Sequence, residues 1–505
     1  MALRDHAPII LEEFNGLWRR GSVDSAPRDH FNDCRNIRFR GDEVITRGGI
    51  DIHQLVGVPP LQKVLRIYNY NTQTESSLIV LVENDLGEGE IYHVTEAATF
   101  GPLLTIATMT DFAFVQYAGR AYISPFTTYG DIEKGIDSEF LYVYLGDGTA
   151  ARKAAGSTPA GTLTVANGGA GNTDAGFKLF AVVGETDTGF LSSPFAFASF
   201  TTSAALSVSF STIPLMVGAQ WVKRHIVATK NIVGYNGDTE GYQYFFIPLA
   251  TINDNTTTTL SNISFFDADL LEDASHLLDN YDEIPAGATL TIYHNRLCLA
   301  ATFTDISLIL VSAVGEPEAI SQIDGLIIAP LDGNPITNLQ EFRDILYVFK
   351  RSRTLSYYDN GDVASSWPLV IIDQAIGCPV HGIATVLDSG STNLDYLVVC
   401  SYKGIVLFNG RYVNPELTYK IRDLWLELDR TKFRELQALN DPVDSIIYIA
   451  MPDKKMLVGD YTNGMDNMKI RWTVDQFNIE VTTIALFEIN TLIIGSKLRY
   501  FPVPE

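Results

Sequence analysis

The side chains that could carry chemistry in this sequence are dispersed. Eight histidines (His6, His30, His53, His93, His225, His276, His294 and His381) are the first candidates for metal ligation or proton transfer. None pairs with another as His-x-His or His-x₃-His, so a metal site has no local nucleus. Four cysteines, Cys34, Cys298, Cys378 and Cys400, form no CxxC pair and read as reduced, mostly buried thiols. There is no GxSxG elbow, no HExxH, no phosphate-binding glycine loop and no GxGxxG. Carboxylates drawn from distant strands could still assemble a glycosidase pair, which no motif reveals. The expectation is therefore a protein without catalytic, metal-binding or cofactor-binding residues. Charge narrows the partners: 36 Lys and Arg stand against 60 Asp and Glu, a net −24. Such a chain does not grip phosphates electrostatically and does not dock on an anionic membrane.

The elements that would position any site are strands. The chain has 505 residues, 46% apolar and 19% charged, enough for a sizeable core. Its apolar runs are strand-sized, and the first thirteen residues lack the basic cap and apolar run of a secretory leader. Synthesis and assembly in a cytoplasm are expected. Short runs of Val, Ile, Leu, Phe and Tyr alternate with Gly, Asn, Asp and Lys turns, the mark of an all-β fold. Helix candidates are limited to Leu270–Leu278 and Ile421–Leu439. An apolar strand, a polar turn and a second apolar strand recur at Ser76–Val94, Phe112–Phe126, Ala288–Phe303, Phe342–Tyr358, Tyr396–Gly410, Ser445–Tyr461 and Ala485–Phe501. From the third hairpin on, the spacing is roughly 40–55 residues, which predicts a β-propeller of about seven blades (six to eight) rather than a set of separate sandwiches.

The spacing breaks once. Ala150–Gly171 has a linker composition, and alternating strands with Thr and Ser faces follow it, at Gly176–Pro194, Ala204–Ser211 and Val222–Thr229. The segment closes with an acidic run, Ser261–Glu283, which holds seven acids and no Lys or Arg and reads as a solvated return linker with a short helix. Four regions follow: 1–50, an arginine-rich head contributing strands to the propeller; 51–155, the first blades; 156–285, an inserted β-sandwich with its acidic return; and 286–505, the remaining blades. The head has eight Arg, no Lys and eight acids, so it is neutral. Its guanidiniums are expected to pair within the fold, in preference to an acidic neighbouring subunit. Asn36–Arg40 and Glu43–Thr46 are expected to form a hairpin. Ser356–Trp367 is similar to the Ser-x-Asp-x-Gly-x-x-Trp box of sialidase-type propellers, but its spacing differs and it occurs once, so it reads as a turn.

The order of motifs is informative. The head runs Phe14-Asn15-Gly16-Leu17, Asp24-Ser25-Ala26-Pro27, Asn36-Ile37-Arg38-Phe39 and Arg47-Gly48-Gly49. His294–Leu299 precedes Ser312–Glu318, and Asp344–Lys350 precedes Gly377-Cys378. This series resembles the propeller-type tail proteins of short-tailed bacteriophages, the nozzle or tail tubular protein B family. Phe177–Pro194 and Lys223–Thr229 resemble the two ends of a fibronectin-III-like domain in those proteins. The resemblance implies structural roles for Phe14, Gly16, Pro27, Asn36, Phe39, Arg47 and Gly48. It implies a virion protein in the phage tail, assembled in the host cytoplasm. Six copies would form a ring at the distal end, against a tail tube or adaptor protein and tail fibres or spikes, and DNA would leave through the ring without being bound. An acidic channel suits that task, because carboxylates repel phosphates where lysines would hold them. The alternatives are a receptor- or glycan-binding tail propeller, a head–tail or tail-hub connector, and a propeller enzyme acting on polysaccharide.

Overall fold

The computed structural model describes residues 15–20, 27, 30, 31, 33–40 and 43–47. It also describes residues 63–496, with breaks at 73–74, 240, 330–331, 389–393, 414–415, 452–453, 466–468 and 488–490. The fold is all-β. A head hairpin, β1 (Ile37–Arg40) and β2 (Glu43–Thr46), is followed by an antiparallel sheet of β3 (Lys63–Asn71), β4 (Ser76–Glu83), β5 (Gly89–Val94) and β6 (Thr99–Ile106) in sequential order. The next sheet holds β7 (Asp111–Tyr117), β8 (Arg120–Tyr129), β9 (Ile132–Gly135), β10 (Tyr142–Tyr144) and β11 (Arg152–Lys153).

The chain then leaves this pattern for β12 (Thr164–Ala170), β13 (Gly176–Thr186), β14 (Phe195–Thr202), β15 (Leu206–Ser211), β16 (Trp221–Thr229), β17 (Tyr244–Ile252) and β18 (Leu260–Ile263). These form a three-stranded sheet, β12-β15-β18, and a four-stranded sheet, β14-β13-β16-β17. The two meet through apolar side chains, with Phe180 edge-on to Phe210 at 5.5 Å between ring centroids. Arg152 ties this segment to the body, reaching Asp187 at 2.6 Å and the buried Glu318 at 3.1 Å.

Sequential four-stranded sheets then resume. They are β19 (Gly287–Tyr293) to β20 (Arg296–Thr302), β21 (Leu308–Ala313) and β22 (Glu316–Ile327); β23 (Ile336–Phe342) to β24 (Ile345–Lys350), β25 (Thr354–Tyr357) and β26 (Leu369–Asp373); β27 (Ile383–Asp388) to β28 (Leu394–Cys400), β29 (Ile405–Phe408) and β30 (Tyr412–Val413); and β31 (Gln437–Asp441) to β32 (Ile446–Met451), β33 (Lys455–Asp460) and β34 (Arg471–Gln476). A final pair is β35 (Val481–Phe487) and β36 (Thr491–Ser496).

First strands of successive sheets pack on one another, β3 on β7, β7 on β19, β19 on β23, β27 on β31, β31 on β35 and β35 on β3, the arrangement of a β-propeller. One device recurs where they meet: a buried hydroxyl or amide of one sheet bonds the backbone of the neighbouring sheet or of the segment leading into it. Thr483 Oγ1 accepts from Ile67 N at 3.1 Å, and Ser124 Oγ donates to Gly287 O at 2.7 Å. Leu339 N donates to Thr289 Oγ1 at 3.1 Å, and Thr337 Oγ1 donates to Cys378 O at 2.6 Å. Gln437 bonds both the N–H and the C=O of Ile484, at 3.0 and 2.9 Å. These bonds satisfy buried backbone groups that no ladder reaches.

Three expectations need correction. Ile421–Leu439 is not one helix. A five-residue helix, α1 (Arg422–Leu426), follows a 3-10 turn at Leu417–Ile421, and another 3-10 turn lies at Arg430–Glu435. The apolar spacing of Leu424, Trp425 and Leu428 fills the core beside Phe433 without a long helix, because tertiary packing decides short segments. Leu270–Leu278 is likewise reduced to a 3-10 turn at Ser275–Asp279. The linker composition of Ala150–Gly171 conceals β12, whose small residues lie against the serines of β15; Ser207 Oγ donates to Gly169 O at 3.0 Å. Ser356–Trp367 runs from β25 through a turn and a single 3-10 turn to the buried Trp367, and Asp359 Oδ1 accepts from Gly361 N within it. All four cysteines are buried and free.

Candidate functional site

Much of the described head converges on one place, the outer edge of β34. Leu17 N donates to Trp472 O at 2.9 Å, Val474 N to Cys34 O at 2.9 Å, and Asn36 N to Val474 O at 2.9 Å. The head thus continues a sheet that would otherwise end on an open edge. Gly16 permits the approach: its φ is +83°, and a Cβ there would lie 2.8 Å from Trp472 N. Asn36 turns the chain at φ 54°, and its Oδ1 accepts from Gln476 N at 2.9 Å. The Phe39 ring lies 4.6 Å under the Arg471 guanidinium. Arg47 stands over Phe477 at 4.9 Å and 3.7 Å from Asp475. Pro27 is exposed, its carbonyl accepting from His30 N at 3.1 Å. Phe14 and Gly48 lie outside the described residues. The centre of this contact is Arg38, whose two terminal nitrogens donate to the two oxygens of the fully buried Asp475 at 2.7 and 2.5 Å.

A second cluster, not singled out in the sequence, occupies the place where the inner strands converge. Arg66 on β3 donates to both oxygens of Asp111 on β7, at 3.0 and 2.6 Å, and to Gln437 Oε1 on β31 at 3.0 Å. His381, just before β27, lies 2.9 Å through Nε2 from Asp111 Oδ2 and 3.2 Å through Nδ1 from the Tyr68 hydroxyl. Burial works against a charged Asp111, but Arg66 and His381 outweigh it and hold the carboxyl well below its ordinary range. Burial and the Arg66 charge push His381 below its ordinary 6.5, despite the pull of Asp111. At neutral pH the imidazole is therefore neutral. Nε2–H then donates to the carboxylate and Nδ1 accepts from Tyr68. A Tyr–His–Asp chain can relay protons, but here both carboxylate oxygens are held by a guanidinium. The cluster is a clamp between four sheets.

Beside it, on the loops at one end of the inner strands, is a cavity of about 350 Å³ lined by Gly130, Asp131, Glu133, Thr337, Arg351, Pro379, Tyr402, Arg430, Thr431 and Arg434. Pro379 lies two residues before His381. Glu133 is 6% exposed, and its Oε1 is buried without a hydrogen-bond partner. Burial raises its carboxyl above the ordinary range, against the pull of Arg351 and Arg434. A second cavity, of about 450 Å³, lies near Tyr129, Lys134 and Phe303, and the Lys134 ammonium sits 3.8 Å from the Phe303 centroid. Among the described residues, no group of three or more His, Cys, Asp or Glu side chains is arranged to hold a metal ion. Two acids of Ser261–Glu283 pair with lysines from earlier in the chain: Asp267 with the buried Lys178, and Glu283 with Lys153 at 2.8 Å.

No family model matches the chain, and no curated protein does. Solved structures similar to it include Hsv2 from Kluyveromyces marxianus, at 10% identity over 82% of this chain and 97% of that one, with a TM-score of 0.27. The Pan2 WD40 domain of Neurospora crassa is 8% identical over 88% and 95% of the two chains, with a TM-score of 0.27. AztD from Citrobacter koseri is 9% identical over 87% and 100%, with a TM-score of 0.30. Likeness at this level says nothing of what the chain binds or assembles with.

Proposed function

We propose that the chain is a structural protein of a phage tail nozzle, a propeller of about seven blades carrying an inserted fibronectin-III-like sandwich, copies of which close into a ring around the path of the ejected DNA. The observation that carries this reading is the side-chain clamp that ties four sheets together. Joined by Arg66, Asp111, His381 and Gln437, the body has the character of a rigid building block, and a passage for DNA would lie between copies rather than through one. The net charge of −24 favours a wall that does not hold a duplex. The described head residues Gly16, Asn36, Phe39 and Arg47, which pack on or beside β34, support the same reading.

Apolar surface suited to contact between copies is also present. Leu369, Val370 and Ile371 on the outer strand β26 are 44%, 54% and 57% exposed. Ile323 and Val363 are also exposed, and Asp324 holds their two segments together by accepting from Ala364 N and Ser365 N. Native mass spectrometry and negative-stain imaging at high protein concentration test the proposal. A closed ring with a central hole is the expected result, and Val370→Lys is expected to lower the ring fraction at least about tenfold by placing a charge in a desolvated contact. A monomer that stays monomeric when the tail proteins it should join are added would refute it.

A further inference from the structure

The arginine-lined cavity goes beyond ring assembly and does not depend on it. Three guanidiniums, of Arg351, Arg430 and Arg434, border it in a chain whose net charge is −24. Among the described residues, Arg351 alone of the three has a close carboxylate, Asp131 Oδ2 at 3.0 Å. Arg430 donates to Tyr402 O at 2.8 Å and Trp425 O at 3.5 Å, and Arg434 to Gly130 O at 3.4 Å. Those partners are neutral carbonyls and leave the guanidinium charge for an anion. Glu133 Oε2 stands 3.8 Å from Arg351, while its buried Oε1 has no donor. A buried, unpaired carboxyl oxygen is costly, and such groups persist where something else satisfies them. One wall is the Tyr402 ring, fixed by stacking on Phe433 at 4.4 Å between centroids. The volume of about 350 Å³ falls within the range of small-ligand sites.

A ligand that fits must present an anion to Arg430 and Arg434, a hydroxyl donor to Glu133 and a flat apolar face to Tyr402. We propose that the cavity binds a sugar acid of the uronate class, its carboxylate on the two arginines and a ring hydroxyl donating to Glu133 Oε1. Inorganic phosphate satisfies the arginines but offers no ring to Tyr402. A neutral hexose satisfies Glu133 but leaves the guanidiniums uncompensated.

The test is saturation-transfer NMR and calorimetry on the full chain with sodium glucuronate and galacturonate, against glucose and inorganic phosphate. At least one uronate is expected to bind at least about tenfold more tightly than either control. Arg434→Gln is expected to weaken that binding about tenfold, and Glu133→Leu to weaken it at least as much. Arg434 is the safer variant for the fold, since its one assigned bond is long. Binding of neither uronate at millimolar concentration, phosphate binding as tightly, or unchanged uronate affinity in Arg434→Gln would each overturn the assignment. Ring formation is read separately by imaging, so failure here leaves the nozzle proposal standing and the reverse also holds.

Discussion

Asp111→Asn is expected to destabilise the fold by about 3–5 kcal/mol, the cost of removing one partner from a buried ion pair. Arg66 is 4% exposed, so its guanidinium has no route to water once the carboxylate is gone. Asparagine keeps the shape and one acceptor oxygen but cannot offer charge to two guanidinium nitrogens and the imidazole together. Urea unfolding followed by tryptophan fluorescence reads the change as a shift in midpoint at constant slope. The paired replacement Arg66→Met with Asp111→Leu is expected to lose less than the single one, because apolar groups of similar volume leave no orphaned charge. A loss below about 1 kcal/mol in Asp111→Asn would mean that the clamp is solvated and does not hold the sheets together.

The same cluster sets a pH dependence. His381 has a folded pKa below its ordinary 6.5, so the folded state resists protonating it. Its contribution is complete above 6.5 and is lost as pH falls through the depressed folded value. Asp111 acts in the same direction but lower, keeping its contribution above its ordinary 3.8 and losing it only in strong acid. Melting temperature is therefore expected to be level from pH 7 to 8 and to fall below about pH 6.5, and His381→Gln should flatten the first part of that fall. A melting temperature that rises between pH 6.5 and 5 would contradict the neutral imidazole.

The hairpins were legible in the sequence because alternation and turn residues are local signals. Each of the seven hairpins overlaps a strand pair, from Ser76–Glu83 with Gly89–Val94 to Val481–Phe487 with Thr491–Ser496. The head hairpin was legible for the same reason. The clamp was not. Arg66, Asp111, His381 and Gln437 are separated by up to 371 positions and have no motif between them. A faint signal existed in Arg66, a charge inside the strand Lys63–Asn71, since an ion on an inner strand needs a partner across the fold. Lys350, fully buried at the end of β24 and bonded to Ile328 O, Ala329 O and Asp332, carries the same signal. Strand β12 was hidden because Thr-Val-Ala-Asn-Gly-Gly-Ala has almost no apolar alternation, and its pairing with β15 is what makes it a strand.

Arg38→Met is expected to be more damaging than Asp475→Asn, although both break the same pair. The Arg38 side chain is 17% exposed and Asp475 is not exposed at all. Without Asp475 the guanidinium can turn toward water, whereas without Arg38 the carboxylate stays buried with Arg47 only at 3.7 Å. The expected losses are about 3–5 kcal/mol for Arg38→Met and about 1–3 for Asp475→Asn. Deleting residues 1–50 removes more than the pair. It strips Leu17 and Cys34 from the core beside Trp472 and reopens the edge of β34, freeing the backbone groups of Trp472 and Val474. An open edge next to bared apolar surface is a template for association, so the truncated chain is expected to sediment as heterogeneous aggregate with a weakened β signal in circular dichroism. If it folds and sediments like the full chain, the head is an appendage, and the order of its motifs has to be explained by contact with another subunit rather than by closure of its own propeller.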